Sequence, residues 1–273
     1  MSTTTMAAPT PARIRNLFAA EWTKLWSLRS TYWVLGVGTL LMIAASITDA
    51  IRTTSRWSEL MEDLRARFDP MSVVLGAPSA ALLMLGASSV GVLVVAGEYS
   101  SGLIRTTFTA VPDRRRVVLA KVGVVAGTML LVGVVIATIS FFASQAVLSS
   151  VTAGVSIGDP AVLRSLASDA LLAPVAALVG MAIAALLRHT AASVITSCVV
   201  LVIVPSFFKI TVYPWVDDIY NAFPLYVWRN CLSMLDPITR PYFPTVTGSW
   251  IVFAAWPLVG IVVTAVIVHR RDV

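Results

Sequence analysis

Glu98, Arg105, Arg114, Arg115, Arg116 and Lys121 share one stretch, GEYSSGLIRTTFTAVPDRRRVVLAK (residues 97–121), set between two long apolar runs. Guanidinium groups in such a place can meet lipid phosphates or the acidic side chains of a partner, or they can simply fix membrane orientation. Catalytic chemistry is hard to assemble from the rest of the chain. A nucleotide-binding P-loop needs Gly-Lys-Ser/Thr, and the three lysines, Lys24, Lys121 and Lys209, follow Thr23, Ala120 and Phe208. His189 and His269 are the only histidines, too far apart in sequence for the one-turn pair of a zinc hydrolase. Both stand next to the ends of apolar runs, which also argues against a haem pinned between them. Cys198 and Cys231 supply neither a disulfide framework nor a metal cluster. No catalytic, cofactor-binding or metal-ligating residue is expected.

The elements that position the basic stretch follow from composition. Hydrophobic residues make up 58% of the chain and charged residues 12%, where a soluble domain carries about a quarter charged. Mean hydropathy is +0.85. A bilayer core takes roughly 20 apolar residues per helix, and six runs qualify, at about 31–47, 71–96, 117–148, 170–187, 191–208 and 250–268. None alternates with the period of two that a membrane barrel requires. They hold no Asp, Glu or His, and Lys121, at the start of the third, is counted with the loop before it. The expected fold is an all-α membrane protein of six transmembrane helices, residues 13–273 forming one membrane domain behind a disordered leader, residues 1–12.

Six spans place both termini on one side. The face holding residues 1–30, 97–121, 188–190 and 269–273 carries twelve Lys and Arg against eight on the other, which puts the termini in the cytosol. The net charge of +6 therefore matches anionic headgroups beside the spans, with no nucleic-acid module indicated. Before the first span, Ile14, Leu17, Phe18, Trp22, Leu25 and Leu28 recur at helical spacing and predict an amphipathic helix lying in the interface, Trp22 and Trp26 at headgroup depth. An outer amphipathic stretch is expected from Trp57, Leu60, Met61, Leu64 and Phe68. A short helix is expected over about 224–235, with Leu225, Trp228, Leu232 and Leu235 as its apolar stripe. Gly123 and Gly127, and Ala176, Gly180 and Ala184, mark faces for close helix approach. Pro78, Pro174 and Pro205 are candidate kinks.

Without titratable groups at membrane depth a proton relay is disfavoured, and so is a midplane pocket for a charged substrate. Energy for transport would then have to come from a partner, and residues 97–121 form the most polar place for one to dock. Leu103, Ile104, Phe108 and Val111 form the apolar face of a short helix there, ended by Pro112-Asp113.

Together with AAEWTKLWSLRSTYWVL (19–35), this loop resembles the membrane subunits of type-2 ABC exporters, particularly the actinobacterial-like permeases. The resemblance covers the whole chain in architecture, while the motif match is confined to those two stretches. It implies an interfacial helix around Ile14 to Arg29 containing Glu21, Trp22 and Lys24. It also implies a cytosolic coupling helix around Ser100 to Thr109, in a region comprising Glu98, Tyr99, Arg105, Thr106, Arg114, Arg115 and Arg116. Further implications are two copies of a soluble ATPase subunit that binds the ATP, a homodimer or a heterodimer with a second permease, and a bacterial cell membrane. The competing expectation is a multi-pass scaffold or assembly factor that transports nothing, with a secondary carrier behind it.

Overall fold

The computed structural model describes residues 14–27, 29–111, 113–151, 154–207, 214–237 and 245–270. The leader expected at residues 1–12 lies outside them. The described elements are all helical: α1 (Ile14–Ser27), α2 (Arg29–Ser55), α3 (Glu62–Ala66), α4 (Ala77–Ser100), α5 (Leu103–Ala110), α6 (Arg114–Leu148), α7 (Pro160–Leu187), α8 (Thr190–Cys198), α9 (Val204–Phe207), α10 (Pro214–Tyr220), α11 (Pro224–Val227) and α12 (Val246–Arg270). Six helical stretches are long and apolar enough to cross a membrane: α2, α4, α6, α7, α8 to α9 taken together, and α12. The protein is a six-span, all-α membrane protein.

Helix α7 is the hub. Its most apolar window is 83% buried, against 22% for the windows of α2, α8–α9 and α12, and it packs against α4, α6 and α12. Small residues make this possible. A Cβ added to Gly91 of α4 would fall on the Ala177 carbonyl of α7, and one added to Gly180 of α7 would fall on the Ser88 carbonyl of α4. The two backbones therefore touch reciprocally, which only glycine permits at both points. Gly133 meets Ala170 in the same way where α6 crosses α7. Gly127, nominated from sequence, has nothing within 4 Å of the added Cβ.

Span limits drawn at the first charge prove too short. A helix does not stop where apolar sequence stops, because its backbone hydrogen bonds continue into water at no penalty. The first span runs on to Ser55 through Asp49 and Arg52, and α6 begins at Arg114. At 35 residues, α6 is about 52 Å long, well beyond a core about 30 Å thick. The fourth span begins at Pro160, not 170, because Asp159 caps it by accepting from the Ala161 N–H at 2.8 Å and Pro160 takes the first position. Arg164 and Asp169 thus join the span. The second starts later, at Ala77, and Pro78 stands in its first turn, where a missing N–H is harmless, so it begins the helix and does not kink it. In the fifth, residues 199–203 take π-helical turns just ahead of Pro205, absorbing its missing donor. The expected outer amphipathic helix is broken into a 3₁₀ turn, Trp57–Glu59, and the five-residue α3. The stripe expected over 224–235 is present in α11 and the π turn that follows it to Leu232, with Leu225, Trp228 and Leu232 buried.

Candidate functional site

Four charged side chains from three helices converge where α1 lies across the end of the bundle. Glu21 of α1 occupies the same buried stripe as Leu17 and Leu25, one turn to either side. That position drives its carboxylate into the protein, so it needs a cation. Lys121 of α6 supplies one, its Nζ 2.5 Å from Glu21 Oε2 and 2.8 Å from Oε1 of Glu98, near the end of α4. Lys24, one turn along from Glu21, completes the ring at 2.7 Å from Glu21 Oε1 and 2.9 Å from Glu98 Oε1. Two carboxylates and two ammonium groups leave the cluster neutral overall. The Lys121 and Glu21 side chains are only 8% and 5% exposed, so each charge depends on the others and not on water.

Burial on its own would lower the Lys24 pKa. The Glu21 hydrogen bond and the Glu98 charge outweigh it, holding the ammonium above its ordinary 10.5. The third proton of Lys24 goes to Thr107 Oγ1 of α5 at 3.3 Å. Helix α5 is therefore fastened to the same ring. Gly102 makes its entry possible with φ of +73°, and Ile104, on the Thr107 side, is buried. Thr106 and Thr109 face outward and are exposed, while Leu103, half exposed, borders the ring. A cavity of about 220 Å³ lies against the ring, walled by Leu25, Leu93, Val94 and Leu103.

The structure brings together some of the residues nominated from sequence and separates others. Glu21, Lys24 and Glu98 meet in the ring. Trp22 points away, 48% exposed, and its ring lies 5.5 Å from that of Trp26. Tyr99 turns instead toward α7, where the guanidinium of Arg188 stands 4.8 Å from its ring centre, a cation–π contact. Thr106 is on the outer face of α5. The side chains of Arg105 and Phe108 lie outside the described set, as does Pro112. Arg116 pairs with Asp113 at 2.9 Å, while Arg114 and Arg115 share the first turn of α6 with it.

Lys121 and Thr107 were missed as site residues. The signal for Lys121 was present: a solitary charge inside an apolar run requires a partner. Likewise, the expectation of no titratable group within the spans fails. Besides Glu98 and Lys121, Asp169 is buried in α7, its Oδ1 accepting from Trp228 Nε1 at 2.7 Å. Around it, Ser165 Oγ donates to the Ser233 carbonyl at 2.9 Å, Arg164 Nη2 to that of Leu235 at 3.0 Å, and Asp69 Oδ2 accepts from the Leu235 N–H at 2.9 Å. These bonds pin the 224–235 segment onto α7 and onto Asp69, in the loop before α4.

Among the described residues, no three His, Cys, Asp or Glu side chains gather in a way that could hold a metal ion. Compared with known proteins, the chain matches no family model, and no curated protein matches it.

Proposed function

We propose that this chain is the membrane-spanning permease subunit of an ATP-driven exporter of the type-2 ABC class, coupled to a separate soluble ATPase. The observation that carries the reading is the fastening of α5. A short helix beyond the second span is tied on one face, through Thr107 and buried Ile104, to a charge ring joining α1, α4 and α6, while Thr106 and Thr109 face outward.

That arrangement suits a lever. A push on the outer face of α5 passes through Lys24 and Glu98 to α4, and through Lys121 to α6, because buried ion pairs resist separation. The coupling region comprises Glu98, Arg105, Thr106 and the start of α6, and Glu21 and Lys24 link it to the interfacial helix. ATP binding would close two ATPase subunits and shift α5, reorienting the spans between two states. The outward apolar surfaces of α2, α8–α9 and α12 leave room for a second permease copy as well as lipid. Both termini face the cytosol of a bacterial cell in this reading, following the bias in basic residues.

Purification of the tagged chain in mild detergent from its native host tests the proposal. A nucleotide-binding subunit recovered in stoichiometric amount, with ATPase activity, is the expected result. Recovery of the intact chain without any ATPase, under conditions that preserve other membrane complexes, would favour the scaffold reading.

A further inference from the structure

The three arginines that begin α6 stand in an unfavourable place. The first turn of a helix carries a partial positive charge and prefers anions, and α6 has no acidic residue in that turn. Asp113, just before it, is engaged by Arg116, whose Nε lies 2.9 Å from Oδ2. Arg115 points a different way. Among the described residues it meets no carboxylate, and it lines an open groove of about 670 Å³ between the start of α6 and the end of α12, together with Leu119, Ala265, Val266 and His269.

The groove has two chemically distinct parts. At its mouth are Arg115, with a guanidinium fork suited to a phosphate, and His269, whose imidazole can donate a further hydrogen bond. One helical turn inward on each wall, Leu119 is 53% exposed and Val266 41%, and Val262, a turn deeper on α12, is 60% exposed. The polar end sits at the ends of two membrane-spanning helices, and the apolar end continues along their flanks. A phosphate with hydrocarbon attached satisfies both ends at once. A soluble acidic protein segment would leave the apolar walls exposed.

We infer that this groove seats one anionic phospholipid, its headgroup phosphate on Arg115 and His269 and an acyl chain along Leu119 and Val266. Arg115 is thereby distinguished from Arg116, although the two are adjacent in sequence. The seat does not depend on the exporter reading.

Native mass spectrometry of the full-length chain, titrated with phosphatidylglycerol or with phosphatidylcholine of the same acyl chains, tests the inference. One phosphatidylglycerol should be retained in preference to phosphatidylcholine. Arg115→Gln should reduce that preference by about fivefold, while Arg116→Gln should leave it intact. Leu119→Trp, which fills the groove without altering charge, should also reduce phosphatidylglycerol retention, and it decides the matter should Arg115→Gln fold poorly. An undiminished preference in Arg115→Gln or Leu119→Trp would overturn the inference, as would an equal loss in Arg116→Gln. So would an Arg115→Gln chain that keeps its lipid but no longer recovers an ATPase, since the arginine would then serve a protein partner.

Discussion

Lys121 Nζ lies 2.8 Å from Glu98 Oε1, joining α6 to α4 through side chains only 8% and 10% exposed. The same ammonium reaches Glu21, a hundred residues earlier, on the interfacial helix. Three segments distant in sequence are thus held by one neutral cluster, and α5 is attached to it through Lys24.

Removing one member should be costly. Lys121→Met leaves Glu21 and Glu98 with a single cation, and loss of one partner from a buried ionic cluster destabilises by about 3–5 kcal/mol. Glu21→Gln combined with Lys121→Met removes one charge of each sign. Thermal unfolding of the singles and the double should show a coupling of about 0.5–3 kcal/mol, the double being less damaged than the sum. Strict additivity would mean that the two residues act independently.

Glycine positions should separate sharply. Gly91→Ala and Gly180→Ala each place a methyl on a carbonyl of the facing helix and should cost at least about 1–3 kcal/mol, the usual range for overpacking. Gly127→Ala meets open space and should change the unfolding midpoint little. Equal effects at Gly91 and Gly127 would contradict the backbone contact between α4 and α7.

How much of this was legible beforehand depends on range. Six apolar runs were enough to expect six spans, because bilayer thickness sets a local length rule that needs no tertiary knowledge. The same rule misplaced the start of α7, since it stopped at Asp169. That carboxylate finds its donor in Trp228, 59 residues later. Lys121 is the same case, its partners lying in α1 and α4. Glu21 and Lys24 were nominated through resemblance, yet their pairing was not visible. The Leu17–Glu21–Leu25 stripe shows a carboxylate on a buried face but does not say which cation answers it. Small-residue spacing marked Gly180 and Gly127 alike, and only the crossing geometry separates them.

The bond between Trp228 and Asp169 gives a separate prediction. Trp228→Phe leaves the carboxylate without its N–H donor, a loss of about 1.5–3 kcal/mol if the group is charged. Cys231, fully buried three residues on, reports the result. In a Cys198→Ser background, maleimide labelling of Cys231 should accelerate in Trp228→Phe. Unchanged labelling would show that the π turn is held without this bond.

Alkaline pH should loosen the ring at Lys24. Its pKa in the folded protein is raised above 10.5, so its contribution to stability is fully present below 10.5 and is lost as pH climbs through the higher folded value. The gap in unfolding midpoint between the wild-type chain and Lys24→Met should be constant across neutral pH and shrink only above 10.5. A gap that closed near neutrality would place the relevant titration on another group.

The central claim, that α5 is the surface on which an ATPase acts, is tested most directly by photocrosslinking in the native host. The photoreactive residue p-benzoylphenylalanine would be placed at Thr106, on the outer face of α5, and in a parallel chain at Val259, on the outward surface of α12. The account predicts a crosslink from Thr106 to a nucleotide-binding ATPase subunit, identified by mass spectrometry, and none from Val259. An inserted, stable chain whose Thr106 position yields no ATPase adduct, or yields one no more often than Val259, would contradict it.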